Sequence, residues 1–263
     1  MDRLKSETGV SGQGDARQRA VESGGLVETV RTIFWAVVIA VGFRTFLYEP
    51  FNIPSESMLP TLMVGDYLFV SKYSYGYSRH SFPFSFPPFK GRVFENDLER
   101  GDVAVFKLPR DNKTDYIKRI VGLPGDRLQM IDSVLHINGT PVKRERIADA
   151  AIPDQWGNIR RFHQYRETLP NGVTYNTLDI GLRMPDNTGV FLVPAGHYFA
   201  MGDNRDNSSD SRVPTSGVGF IPAENIVGRA EVLFFSTDGS ARKWAFWNWI
   251  GAARFERFFK SLR

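Results

Sequence analysis

The sequence predicts a mainly β fold: a β-rich body carrying a smaller inserted β region, preceded by one N-terminal transmembrane helix. Three observations carry this expectation. A single unbroken apolar run, Ile33 to Phe43, stands near the start. From Pro50 onward, short β-branched and aromatic runs are cut by glycine, proline and asparagine. The 263 residues include 15 prolines and 24 glycines, too many for a coiled coil, while 42% hydrophobic residues suffice for a globular core.

Residues 1–29 are polar and charged, include Ser11, Gly12, Gly14, Ser23 and Gly24, and show no sustained apolar period. They read as a flexible tail. Residues 30–48 form the expected anchor, with Arg31 and Arg44 as the only charges and Pro50 ending any helix. The apolar run is shorter than the ~20 residues of a full span. Arginine side chains can snorkel to the headgroups, and a short span can thin the bilayer around it. A cleaved signal peptide needs a small-x-small site after the run, and Arg44-Thr45-Phe46-Leu47-Tyr48 offers none. A buried core helix is the third reading, and the anchor is preferred over both. Arg3, Lys5, Arg17, Arg19 and Arg31 favour a cytoplasmic N-terminus, which puts everything after Tyr48 outside.

The body is expected over residues 49–126 and 198–240, with an inserted variable β region over 127–197. Strands are predicted at Tyr67–Tyr73, Val103–Leu108, Tyr116–Val121, Val190–Val193, His197–Met201 and Ile226–Phe235. A hairpin is predicted over Arg127–Val142, turning near Asn138-Gly139. Tyr75 to Arg92, rich in Pro, Phe and Ser, reads as a long loop, and the polar stretch Lys143–Asn187 as an unpatterned insertion. Residues 241–263 place Trp244, Phe246, Trp247, Trp249, Ile250, Phe255, Phe258 and Phe259 among Arg254, Arg257, Lys260 and Arg263. That mixture suits either a membrane interface or a terminal helix docked on the body.

With no cysteine, the chain has no disulfide, thiolate-zinc site, iron–sulfur cluster or cysteine nucleophile. The four histidines, His80, His136, His163 and His197, show no HxxxH or HExxH spacing, so no metal or other cofactor is expected. A net charge of +4 suits an anionic membrane surface as readily as nucleic acid and decides nothing alone. Covalent chemistry then falls to Ser, Thr, Lys, Tyr or carboxylates. Ser55 and Ser57 lie between Pro54 and Pro60 in a constrained turn directly after the anchor, which by itself could be an ordinary proline-bounded turn. Lys118 interrupts the β-forming run Asp115–Val121. Buried there, its pKa would fall from about 10.4 towards the range of a general base; on an edge strand it would be a surface lysine. The polar loop Met201–Arg212 resembles a calcium loop without its terminal glutamate, or a knot of Asx turns and Asp–Arg pairs.

In this order the segments resemble the bacterial type I signal peptidases, or leader peptidases, membrane-anchored serine proteases with a Ser-Lys dyad. The resemblance rests on Ile53–Leu62, Gly65-Asp66 through Lys72, Arg100–Lys107, Asp115–Arg119 with Gly122–Asp126, and Gly202–Ser208 with Asp210-Ser211-Arg212. It implies a β-rich signal-peptidase-like catalytic domain, with Ser57 as nucleophile, Lys118 as general base, and the Ser55 hydroxyl with the Ser57 N–H as oxyanion donors. It implies that Ser208 orients Lys118 and that Asp203, Asp210, Arg212 and Arg119 support the site. Phe51, Ile53, Pro54, Leu62, Tyr116 and Ile117 fall where the family lines its substrate pockets. The implied partners are preprotein signal peptides, cut after small-x-small sites, and membrane lipid, with no nucleic acid and no metal. The implied location is the bacterial inner membrane, single-pass, with the catalytic domain on the periplasmic side. The family often carries two anchors, whereas one run precedes Ser57 here.

Overall fold

The computed structural model describes residues 12–153, 158–239 and 249–262. Residues up to Arg44 and residues from Thr45 onward form two separate compact units. The described part of the first is helix α1, which runs on to Phe46 (Gly12–Phe46). Within the stretch expected as a tail, residues 12–29 are helical, and residues 1–11 lie outside the described residues. No proline precedes Pro50, and adding good helix formers such as Ala16, Arg17, Gln18 and Ala20 to an existing helix requires no new nucleus. The apolar part, Gly25–Phe46, is 22 residues long with mean hydropathy 1.8 and is not buried. At 1.5 Å per residue it reaches about 33 Å, close to the ~30 Å hydrocarbon core of a bilayer. One apolar helix of this length is consistent with membrane anchoring. α1 ends at Phe46, short of the expected Tyr48, because the chain next enters a strand.

In chain order the second unit contains β1 (Tyr48–Asn52), β2 (Asp66–Ser71), β3 (Tyr77–Ser78), β4 (Arg92–Val93), β5 (Val103–Lys107) and β6 (Asp115–Gly122). There follow β7 (Arg127–Ile131), β8 (Val134–Ile137), β9 (Thr140–Pro141), β10 (Lys143–Arg146), β11 (Ala150–Pro153), β12 (Ile159–Thr168), β13 (Thr174–Asp179) and β14 (Phe191–Leu192). The chain returns through β15 (His197–Met201), β16 (Ile221–Pro222) and β17 (Ile226–Ser236). The main sheet has seven strands in the order β1-β2-β17-β5-β6-β15-β16. Pro50, which cannot donate to a ladder, lies on the outermost strand β1. β5 and β17 occupy the middle. Val103 and Val105 of β5 join one buried cluster with Leu68, Val70 and Leu233, while Ala104 and Phe106 join another with Ile120 and Ala200. Both faces of the sheet centre are thus covered, which is why β5 reads as a continuous apolar run.

β6 and β15 pair directly, so everything from β7 to β14 is an excursion between neighbours. It folds as two four-stranded sheets, β14-β7-β8-β9 and β10-β12-β11 with β13 on β12. The predicted single hairpin is a three-strand meander with two tight turns. Asp132 and Ser133 turn β7 into β8 at φ 46° and 65°, and Asn138 and Gly139 turn β8 into β9 at φ 54° and 82°. The first turn was missed because Asp-Ser is a weaker signal for positive φ than Asn-Gly. The stretch Lys143–Asn187 is also corrected, since it contains β10 to β13. These strands pair through charge: Arg144 faces Glu167 across β10–β12, bonds Asp179 at 2.5 Å and covers the Tyr165 ring at 3.5 Å. Such pairing leaves no apolar alternation to read. The expected loop Tyr75–Arg92 contains single 3₁₀ turns beside the short β3–β4 pair.

The chain's last described segment carries α2 (Trp249–Ala252), and it docks on the body. Thr237 bridges Ala253, Val232 bridges Ser261, and Leu262 joins the core cluster of Leu68 and Leu233. Arg257 donates to both oxygens of Asp66, at 2.9 and 2.5 Å, and Ser236 Oγ also bonds Asp66 at 2.7 Å. Docking therefore replaces the interfacial reading for Arg257, whereas Ile250, Phe255 and Phe259 remain exposed. Trp244, Phe246, Trp247 and Arg263 lie outside the described residues. Because Asp66 is fully buried, Arg257→Ala strands a carboxylate without its cation. We expect a loss of about 3–5 kcal/mol, read as a lower midpoint in chemical denaturation of the full chain.

Candidate active site

The turn that carries Ser55 and Ser57 is formed by the chain between β1 and β2. Ile53 N–H donates to Asp66 O at 2.8 Å, Gly65 N–H returns to Ile53 O at 3.0 Å, and Leu62 N–H closes on Met58 O at 2.9 Å. Met58 and Leu62 are fully buried and pin the turn to the core.

Lys118 comes from β6, an interior strand, not an edge. Its neighbour across β5 is Ala104, whose methyl leaves room for the lysine stem. Lys118 is 3% exposed, and its Nζ lies 2.7 Å from Ser57 Oγ and 2.9 Å from the Ile117 carbonyl oxygen. Burial pushes its pKa down to about 8, against the opposing pull of Asp210 and Asp203. A neutral amine beside a serine hydroxyl can accept its proton, and no histidine is needed. Ser55 Oγ lies 3.4 Å from Ser57 Oγ.

Behind Lys118, two ion pairs fix the loop after β15. Arg119 grips both oxygens of Asp203 at 2.9 and 2.7 Å, stacks over Tyr175 at 4.3 Å and bonds Gly101 O at 2.7 Å. Arg212 grips Asp210 at 3.0 and 2.9 Å, and Gly202 N–H donates to the same carboxylate at 3.0 Å. Burial opposes the Asp210 charge, but Arg212 outweighs it and holds the carboxyl below its usual range. Asn204 then ties this loop to the serine turn, its N–H donating to Ser57 O and its Nδ2 to Glu56 O, both at 3.1 Å.

Two expected positions differ. Ser208 lines the cleft with its hydroxyl turned towards the Asp210 carboxylate, and among the described residues the Lys118 amine bonds Ser57 Oγ and Ile117 O, not Ser208. Leu62 is fully buried in the core cluster and does not line the cleft beside Ser57. That cleft, about 850 Å³, is lined by Phe51, Ile53, Pro54, Tyr116 and Ile117 together with Ser55, Ser57, Lys118 and Ser208. A second cavity of about 630 Å³, bordered by Arg119, Tyr175 and Lys260, contains neither Ser57 nor Lys118. Sequence reasoning passed over Glu56, Asn204 and Asn207, although each lies inside a quoted motif, and Arg160, which no motif marks.

A family model described as signal peptidase, peptidase S26, matches residues 26–235. Signal peptidase I of Rickettsia typhi (strain ATCC VR-144 / Wilmington) is 41% identical over 251 residues, covering 87% of this chain and 90% of that one. The chain belongs to the peptidase S26 signal peptidase family. It is a peptidase. Signal peptidase I of Rickettsia canadensis (strain McKiel) is 39% identical over 255 residues, covering 88% of this family member and 92% of its own length. A crystal structure of a signal peptidase I from Enterococcus faecalis V583 matches with TM-score 0.30 and 26% identity over 51% of this signal peptidase and 97% of that chain.

In this signal peptidase, Gly202 is where the loop passes closest to the serine turn. A Cβ there would come within 2.5 Å of Ser57 O and 2.3 Å of Ser208 Oγ. The hydroxyl can rotate away, but the backbone oxygen cannot, so Gly202→Ala must push the Ser57 turn aside. A displacement near 1 Å costs on the order of 100-fold in rate. We expect a loss of that size in peptide cleavage, together with a stability loss of about 1–3 kcal/mol from the overpacked Cβ.

Proposed function

We propose that this chain removes signal peptides from preproteins by serine catalysis, cutting after small-x-small sites with Ser57 as nucleophile and Lys118 as general base. The observation that carries the proposal is the 2.7 Å approach of a buried lysine amine to the Ser57 hydroxyl inside a cleft of mixed polar and apolar lining. Lys118 takes the proton as Ser57 Oγ attacks the scissile carbonyl and hands it to the departing amine. Water then hydrolyses the acyl-enzyme with the same amine as base. The Ser57 N–H and Ser55 hydroxyl receive the developing oxyanion, each donor contributing ~3–4 kcal/mol to its stabilisation. Phe51, Ile53, Pro54, Tyr116 and Ile117 offer shallow apolar walls suited to small side chains on either side of one residue.

In this reading β1–β6 and β15–β17 form the catalytic part, with residues 127–197 attached to it, and the body lies on the periplasmic side of the inner membrane. Contact with lipid is supported by rings that follow one another from the anchor's end along β1, β2 and β17. Tyr48 meets Phe69 at 6.2 Å, Phe69 stacks on Phe234 at 4.3 Å, Tyr67 meets Phe235 at 5.7 Å, and Phe235 meets Phe258 at 5.4 Å. Half-exposed aromatic rings of this kind favour the headgroup zone.

Ser57→Ala and Lys118→Ala should each abolish cleavage of a preprotein bearing an A-x-A site, with the cut position read by mass spectrometry and the fold retained. Turnover by either folded variant would falsify the dyad. The pH dependence follows from the lowered pKa. Above about 8 the amine is neutral and can accept the serine proton; each unit below removes about nine-tenths of the competent form. The acidic limb of kcat/KM should therefore fall about tenfold per unit, and a flat profile from pH 6 to 9 rules out Lys118 as base.

A further inference from the structure

The region between β6 and β15 reaches the serine turn at one polar point. Arg160 on β12 donates through Nη1 to Glu56 Oε2 at 3.0 Å, and Asn207 Nδ2 donates to the same oxygen at 3.1 Å. Glu56 is the residue between Ser55 and Ser57, and it lines the cleft. Two residues further along β12, Phe162 is buried against Leu59, with the Arg160 guanidinium 5.1 Å from its ring. β12 thus holds the turn on both sides of Ser57, by an ion pair before it and by apolar packing after it. The loop after β15 supplies a third hold through Asn204, bonded to both Glu56 O and Ser57 O.

We propose that Arg160 is a positioning residue for the hydrolysis, clamping Glu56 jointly with Asn207 so that Ser57 Oγ and N–H keep their attacking and oxyanion-receiving geometry. The inference rests on the assignment of Ser57 as nucleophile. The magnitudes separate this role from simple bracing of the fold. Arg160 and Glu56 are 41% and 27% exposed, and such a pair contributes under about 1 kcal/mol to stability. Loss of the pair leaves the fold nearly unchanged. It leaves the Glu56 carboxylate held, among the described residues, by Asn207 alone, and a small misplacement of the turn between the two serines acts on the transition state rather than on ground-state binding.

The test is a double-mutant cycle on the full chain in detergent with a peptide spanning a cleavage site, with Ser57→Ala as the blank. Arg160→Ala and Glu56→Ala should each lower kcat about tenfold with KM and the acidic limb unchanged, and the double variant should be no slower than either single one. Arg160→Lys, which keeps a cation in reach, should recover most of the rate, and all variants should melt within a few degrees of the parent. Wild-type kcat in Arg160→Ala overturns the clamp, as do losses that multiply in the double variant or that track a lowered melting point without rescue by lysine. Failure of the underlying assignment is separately visible, because it shows as turnover by Ser57→Ala.

Discussion

The Lys118 amine is kept short of solvent yet within reach of the Ser57 hydroxyl, and that placement depends on much of the body's construction. A lysine on an edge strand would be hydrated and charged at neutral pH. β6 is instead flanked by β5 and β15, with Ala104 opposite, so the stem is packed and only the amine meets the cleft. The same burial that lowers its proton affinity would be excessive without compensation. Asp203 and Asp210 provide it, and each is anchored by its own arginine. Arg119 and Arg212 hold these two carboxylates in place behind the lysine.

The serine turn is held differently. Apolar side chains, Met58 and Leu62, fix its depth, while backbone bonds from the segment between β1 and β2 fix its direction. Polar bonds from Asn204 and from β12 then fix its tilt. These three contributions come from parts of the chain that are distant in sequence, so the geometry between Ser57 and Lys118 depends on the complete second unit being folded.

The sequence was most informative where one physical pattern dominated. β5 and β15 were readable because their apolar runs reflect burial on both faces, β17 from its β-branched and aromatic residues, and β6 because the run around Lys118 and Arg119 is β-forming. The pairing of Ser57 with Lys118 was not readable from periodicity at all. It came from the resemblance, since two residues separated by 61 positions share no local signal. Charge-paired strands such as β10 and β12 escaped for the opposite reason: Arg144, Glu167 and Tyr165 look like a solvated loop until their partners are known. Leu62 was placed in the cleft because a residue near a motif is easily taken for part of the site, whereas its burial makes it the peg beneath. Ser208 likewise stands beside the site without bonding to the amine.

The adjacency of β6 and β15 bears on how such a protein can change over time. An excursion that leaves and re-enters at neighbouring strands can be lengthened, shortened or replaced without re-registering the sheet, much as a side branch can be pruned without cutting the trunk. Arg160 limits that freedom. Under the proposed clamp, a lineage that trims this branch keeps its rate only by supplying another partner for Glu56 or another residue in its place, so lengths in one region and identity at one position of the serine turn should drift together.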